Sequence, residues 1–318
     1  MSNTRKVAIS LILLMIGGLG YLFYSKRRGE QQLDLREDGL GAKRAETRNY
    51  SFLVNDAPYN SANFTIGFYD YNTLATVTAK YQPWLDYSDP AFTATNRAAN
   101  VKNAQWLKKY FDDIVTRVSK SLKLPKSLIY CVMLTETGSV ASRAKFIKAE
   151  YDRLVSLNPS GAIGPMQVKP ITATETVQIA NNKGFISDYH REVLLDTIGV
   201  SRTQLLFTRE SAKSKYYVDN KIIAYDGRRE ELLNDELNIM VAGMKIANLI
   251  DNYGERNLHQ VFYAYNQGDR TVLVRGLTSK TNIYDFVNNS YGEGKKYVER
   301  IFGKHGALDI VINDLGIV

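Results

Sequence analysis

Cysteine is almost missing from this chain. The 318 residues hold one, Cys131, so no intramolecular disulfide can brace the fold. Flanked by Val132 and Met133, it reads as a small core residue. Histidine is also scarce, and His190, His259 and His305 form neither an HExxH nor a Cys/His ligand pattern, which leaves a zinc hydrolase without a basis. The nearest thing to a phosphate loop, Gly292-Glu293-Gly294-Lys295, lacks the full spacing and a preceding apolar strand. No metal and no cofactor is therefore expected.

What is present suits a globular protein. The apolar fraction is 44%, enough for a sizeable core, and the length admits one large or two small domains. Lys and Arg number 41 against 33 for Asp and Glu, a net charge of +8, which favours an anionic partner such as nucleic acid, acidic lipid or acidic cell-wall polymer. Charge alone does not choose among these.

Residues 7–24 form the one long apolar run. Its roughly 18 residues at about 1.5 Å each reach ~27 Å, near the hydrocarbon thickness of a bilayer. An uncleaved N-terminal transmembrane helix is expected within residues 1–28, because no small-x-small site follows the run and Ser25-Lys26-Arg27-Arg28 resembles a stop-transfer flank; a cleaved signal peptide is the rival reading. Residues 29–48 read as a flexible linker. Residues 49–100 read as an aromatic-rich extension, where TIGFYDYNTLATVTAKY suggests short strands or an extended wrap. Its aromatics suit either sugar stacking or ordinary packing.

The rest, residues 101–318, reads as mainly helical. Trp106, Leu107, Tyr110, Phe111, Ile114, Val115 and Val118 follow the helical period to about Lys123. Pro125 and Gly138 then bracket a helix over Lys126–Thr137. On its apolar face, Leu128, Ile129, Val132 and Met133 lead to Glu136. A carboxylate against such neighbours is pushed toward its protonated form, which suits a general acid. The alternative is a helix-end glutamate that reaches solvent or pairs with Arg143. Gly161, Gly164 and Pro165 next mark a tight turn, and Met166 and Gln167 offer a ligand an apolar wall and an amide. Leu237 to Tyr253 form a long amphipathic helix closed by Gly254, and a second helix presents Tyr265 and Asn266 just before Gly268. Residues 142–157 suggest an inserted amphipathic helix, and residues 185–236 mix short helical and extended signals.

Three of these blocks, in order, resemble the soluble lytic transglycosylases, a family of lysozyme-like peptidoglycan-cleaving enzymes. They are Glu136 followed by a hydroxyl residue, then GAIGPMQVKPITAT, then AYNQG at residues 264–268. The likeness spans residues 106–302. It departs from the family in having Thr137 where Ser is usual and Pro165 in place of Leu, which removes a backbone N–H.

The resemblance implies a lysozyme-like α+β domain and a single catalytic carboxylate, Glu136. Thr137, Met166, Gln167, Tyr265, Asn266 and Tyr297, the late tyrosine in YVERIF, would bind substrate. The implied reaction cuts the β-1,4 bond between N-acetylmuramic acid and N-acetylglucosamine in peptidoglycan glycan strands and closes a 1,6-anhydro ring. A hydrolytic lysozyme is the alternative, with Glu150 or Asp152 as candidate bases; an inactive, membrane-anchored wall-binding protein is another. The expected partners are glycan strands and, through residues 7–24, the lipid bilayer; no nucleic acid is expected. Arg5 and Lys6 are outnumbered by Lys26, Arg27 and Arg28, a bias that would hold the domain on the cytoplasmic side. That arrangement fits a virion membrane, with virion or envelope-machine proteins as partners, whereas a bacterial enzyme would face the periplasm from the inner membrane.

Overall fold

The computed structural model describes residues 89–138, 161–184 and 232–317, with scattered positions between 142 and 222. The expected membrane span, the linker, most of the aromatic-rich extension, Arg143 and Asp152 lie outside the described residues. Among the described residues, no helix is long and apolar enough to cross a membrane.

The described chain is mainly helical, as its sequence periods predict. Helix α1 spans Arg97–Leu122 and α2 Lys126–Thr137. Helix α3 spans Pro170–Asn182, α4 Asp235–Tyr253 and α5 Leu258–Gln267. Three shorter helices follow: α6 (Asp269–Val274), α7 (Ile283–Asn289) and α8 (Gly292–Phe302). Two closing turns, Ala307–Asp309 and Ile310–Asp314, end the fold. The β part of the expected α+β domain is slight among the described residues. It consists of two paired two-residue strands, β1 (Tyr217–Val218) and β2 (Lys221–Ile222), and one isolated bridge between Ile163 and Val168.

Helix α2 is the centre of the packing. From Ser127 to Thr135 every residue is buried, so the helix is enclosed on all sides rather than half-exposed. It packs against α1, α8 and both closing turns. Its ends follow local chemistry. Pro125 stands one residue ahead of the first turn with ψ 133°, and Gly138 ends the helix at φ 57°, a conformation open to glycine. Helix α4 in turn contacts α1, α3 and α5, and Asn234 caps its start by accepting from the Leu237 N–H.

Phe92 is in the core, and Asn100 donates to the Ala91 carbonyl at 3.0 Å, so the packed unit reaches ahead of residue 101. Tyr110 falls on the helical period of α1 but is 51% exposed, because it lies at the edge of the apolar stripe. The glycines of Gly292-Glu293-Gly294-Lys295 also find a role. Gly294 lies inside α8, where a Cβ would come within 2.5 Å of the Tyr263 ring and the Gln267 side chain; it lets α8 approach α5.

A charged clamp closes the fold. Arg97, at the start of α1, donates to Asp309 and Asp314, each at 2.5 Å. A second pair links α1 to α2, where Lys126 and the Tyr130 hydroxyl donate to Asp112 at 2.6 and 3.0 Å. Burial works to raise both carboxyls, but these hydrogen bonds and the adjacent positive charges outweigh it and leave both below their ordinary values. A depressed carboxyl stabilises the fold above its unfolded pKa of about 3.9, and that contribution is lost as pH falls through the lower folded value. Urea titrations at pH 5 and pH 2.5 should show the wild type losing stability on the acid side. Asp309→Asn should flatten that loss by no more than about 1 kcal/mol, since the pair is partly exposed.

Candidate active site

Glu136 lies in the last turn of α2 and is half-buried, unlike the enclosed residues before it. It opens onto a cleft of about 670 Å³. One wall is a face of α3 that includes Thr172, Glu175 and Ile179; the other is a face of α4 that includes Val241, Lys245 and Asn252. The end of α5 and the start of α6 complete the lining. From Val241 to Asn252 the cleft follows α4 for roughly 16 Å at about 1.5 Å per residue, a length suited to an extended ligand.

Two tyrosines sit beside Glu136. The Tyr265 and Tyr297 rings stack, with centroids 6.3 Å apart and planes 18° from parallel. Both hydroxyls are pushed well above their usual pKa, first by burial and then by the negative charge of Glu136. Both stay protonated, so each hydroxyl has a proton to donate. Tyr265 donates to the Met166 carbonyl at 2.9 Å. The Tyr297 hydroxyl is buried and, among the described residues, meets no partner at full hydrogen-bonding geometry, although the Glu136 carboxylate is near enough for its charge and a weak hydrogen bond to raise it. Lys245 stands 4.4 Å from the centroid of the Tyr265 ring and donates to the Tyr265 carbonyl at 2.6 Å, bringing a positive charge to the cleft wall.

The segment Ile163 to Val168 forms a small hairpin beside Glu136. The Gln167 N–H closes a tight turn onto the Gly164 carbonyl at 3.0 Å, with Pro165 at the second position, where its fixed φ fits and its missing N–H is not needed. Asn238, wholly buried in α4, holds this turn. It accepts from the Met166 N–H at 3.0 Å and donates to the carbonyls of Ile163 and Leu232 at 2.8 and 3.0 Å. Gly164 has φ 81°, and a Cβ there would come within 2.3 Å of the Asn238 amide. Both the backbone angle and the space require glycine.

The structure brings Glu136, Gln167, Tyr265 and Asn266 to the lining of one cleft, with Tyr297 behind Glu136. Asn266 is exposed and accepts from the Gln267 side chain at 2.6 Å. Met166 and Thr137 are placed elsewhere. The Met166 side chain is wholly buried in the core, so its carbonyl, not an apolar wall, serves the site. Thr137 is also buried; its hydroxyl donates back to the Met133 carbonyl at 2.7 Å and accepts from Asn103 at 3.3 Å. Glu150, a candidate base by sequence, is 1% exposed and bonded within the hairpin. Asn238 and Lys245 were not anticipated. Their signal was available as polar side chains interrupting the buried surface of α4, but sequence does not say what they face.

Among the described residues, no group of acidic, histidine or cysteine side chains is arranged to hold a metal ion. Comparison with protein-family models, with curated proteins and with solved structures finds no significant match.

Proposed function

We propose that this protein is a peptidoglycan lytic transglycosylase on a lysozyme-like domain, with Glu136 as its single acid and base. The observation that carries the reading is the setting of Glu136: one half-buried carboxylate, on the most enclosed helix, opening into an elongated cleft beside two protonated tyrosines. Glu136 protonates the leaving glycosidic oxygen, and the substrate's acetamido group shields the developing cation. The carboxylate then removes the proton from the sugar's 6-hydroxyl, which closes the 1,6-anhydro ring without water. Gln167, Tyr265 and Asn266 position the sugar. The Tyr297 hydroxyl, with no other partner among the described residues, steadies the carboxylate after it has given up its proton.

Residues 7–24 would anchor this domain in a membrane, either of a virion or of a bacterial inner membrane facing the periplasm, for local opening of the wall. One observation favours hydrolysis on the same fold instead. Glu175 lines the same cleft from α3, where a second carboxylate could activate water as in two-carboxylate glycosidases. Digestion of purified peptidoglycan in ¹⁸O-water decides between them. Transglycosylation gives anhydro-muramic ends without label, and label at the new sugar end makes the protein a lysozyme.

A further inference from the structure

Gln167 is held in a way that limits what it can offer a ligand. A glutamine amide has two N–H donors and one carbonyl acceptor. Here Nε2 donates to Glu150 Oε1 at 3.0 Å and to the Gly164 carbonyl at 2.8 Å. Both partners are acceptors, so the amide nitrogen must face them and Oε1 must face away. No donor among the described residues reaches Oε1, and Gln167 lines the cleft.

The backbone at this residue is constrained as well. Gln167 sits at φ 48°, a left-handed conformation that a non-glycine residue adopts only when its surroundings impose it. Glu150 contributes to that constraint twice, since its other oxygen, Oε2, accepts from the Gly164 N–H at 2.5 Å. A single buried carboxylate therefore braces the turn through Gly164 and fixes the amide through Gln167. It comes from a segment that the sequence marks as an insertion.

We propose that Glu150 is a positioning residue that fixes Gln167 as a hydrogen-bond acceptor toward the cleft. The ligand group opposite Gln167 must then be a donor, an N–H or O–H of the glycan. The identity of the ligand rests on the function proposed above; the orientation of the amide does not. Glu150→Gln tests it, because it keeps the side chain's size but can meet only one of the two donors. One end of the new amide accepts from Gly164, and its other end presents N–H groups to Gln167. The Gln167 amide then meets N–H groups where it had an acceptor and keeps only the Gly164 carbonyl, so its oxygen is no longer fixed toward the cleft.

Two readouts on the full-length chain follow this change. The first is the ¹⁵N side-chain amide signal of Gln167, assigned by its loss in Gln167→Glu. In the wild type its protons should exchange with solvent at least about tenfold more slowly than those of an exposed glutamine, and in Glu150→Gln the proton that faced residue 150 should lose that protection. The second is turnover of peptidoglycan fragments, where Glu150→Gln should raise KM about tenfold and change kcat less, the pattern of lost ligand binding. Wild-type exchange as fast as that of an exposed glutamine overturns the proposal without any variant. Exchange unchanged by Glu150→Gln overturns it as well, as does a fall in kcat at constant KM. A chain that protects the amide, loses that protection in Glu150→Gln and leaves glycan uncut would retire the transglycosylase assignment and uphold the role of Glu150.

Discussion

Glu136→Gln should reduce glycan cleavage by at least about a hundredfold, the low end of what a positioned general acid contributes. The substitution keeps the volume and hydrogen-bonding shape of the side chain, and the last turn of a helix is where its dipole disfavours a negative charge. Folding should therefore be retained, with thermal unfolding close to that of the wild type. The loss should fall on kcat, because the proton is delivered only as the glycosidic bond breaks. In the variant the negative charge beside Tyr265 and Tyr297 is also gone. Ultraviolet titration should show their phenol ionisation moving toward the ordinary tyrosine value, with burial as the remaining cause of elevation. Near-normal turnover by Glu136→Gln would end the assignment of this residue as the acid.

The second large effect is expected at Asn238, far from Glu136 in sequence and never a ligand contact in this reading. Asn238→Leu removes three hydrogen bonds at once: the Met166 N–H and the Leu232 carbonyl lose the Asn238 amide, and the Ile163 carbonyl keeps only the Val168 N–H. Each buried polar group left unpaired costs about 1–3 kcal/mol. A loss of about 3 kcal/mol overall is expected, equivalent to a fall in Tm of roughly 10 °C for a unit of this size. Activity should fall as well at temperatures where the variant remains folded, because the turn that carries Gln167 and receives the Tyr265 hydroxyl is no longer fixed. Calorimetry and turnover on the same sample check both parts. A variant as stable as the wild type would show that the turn is held by other means.

Much of this arrangement could be read from residues close together in sequence. Pro125 and Gly138 bracketed α2 at Lys126–Thr137, and Gly254 and Gly268 marked the ends of α4 and α5. Helix stops are local chemistry, so local patterns find them. Glu136 was legible for a related reason, as a carboxylate continuing an apolar stripe. What could not be read were directions and distant pairings. Met166 belongs to a turn, and a turn has no period to say which way a side chain points; the structure turns it into the core. Glu150 looked available for chemistry because an acidic residue in an inserted segment carries no mark of its burial. Asn238 meets Met166 across 72 residues, and only the three-dimensional packing shows that the two belong to one unit.

The clamp at Arg97 bears on how the protein is made. Its partner Asp309 lies 212 residues further along the chain, and the closing turns beside that aspartate also pack directly on α2. A ribosome releasing the chain at about 5–20 residues per second would leave α2 waiting roughly 9–35 seconds for those turns. During that interval the helix that carries Glu136 is missing part of its enclosure, and contacts of such long range form late because the intervening loop must close first. A nascent chain therefore completes the seat of Glu136 only after synthesis has passed residue 314, long after the helix that carries this carboxylate has been made.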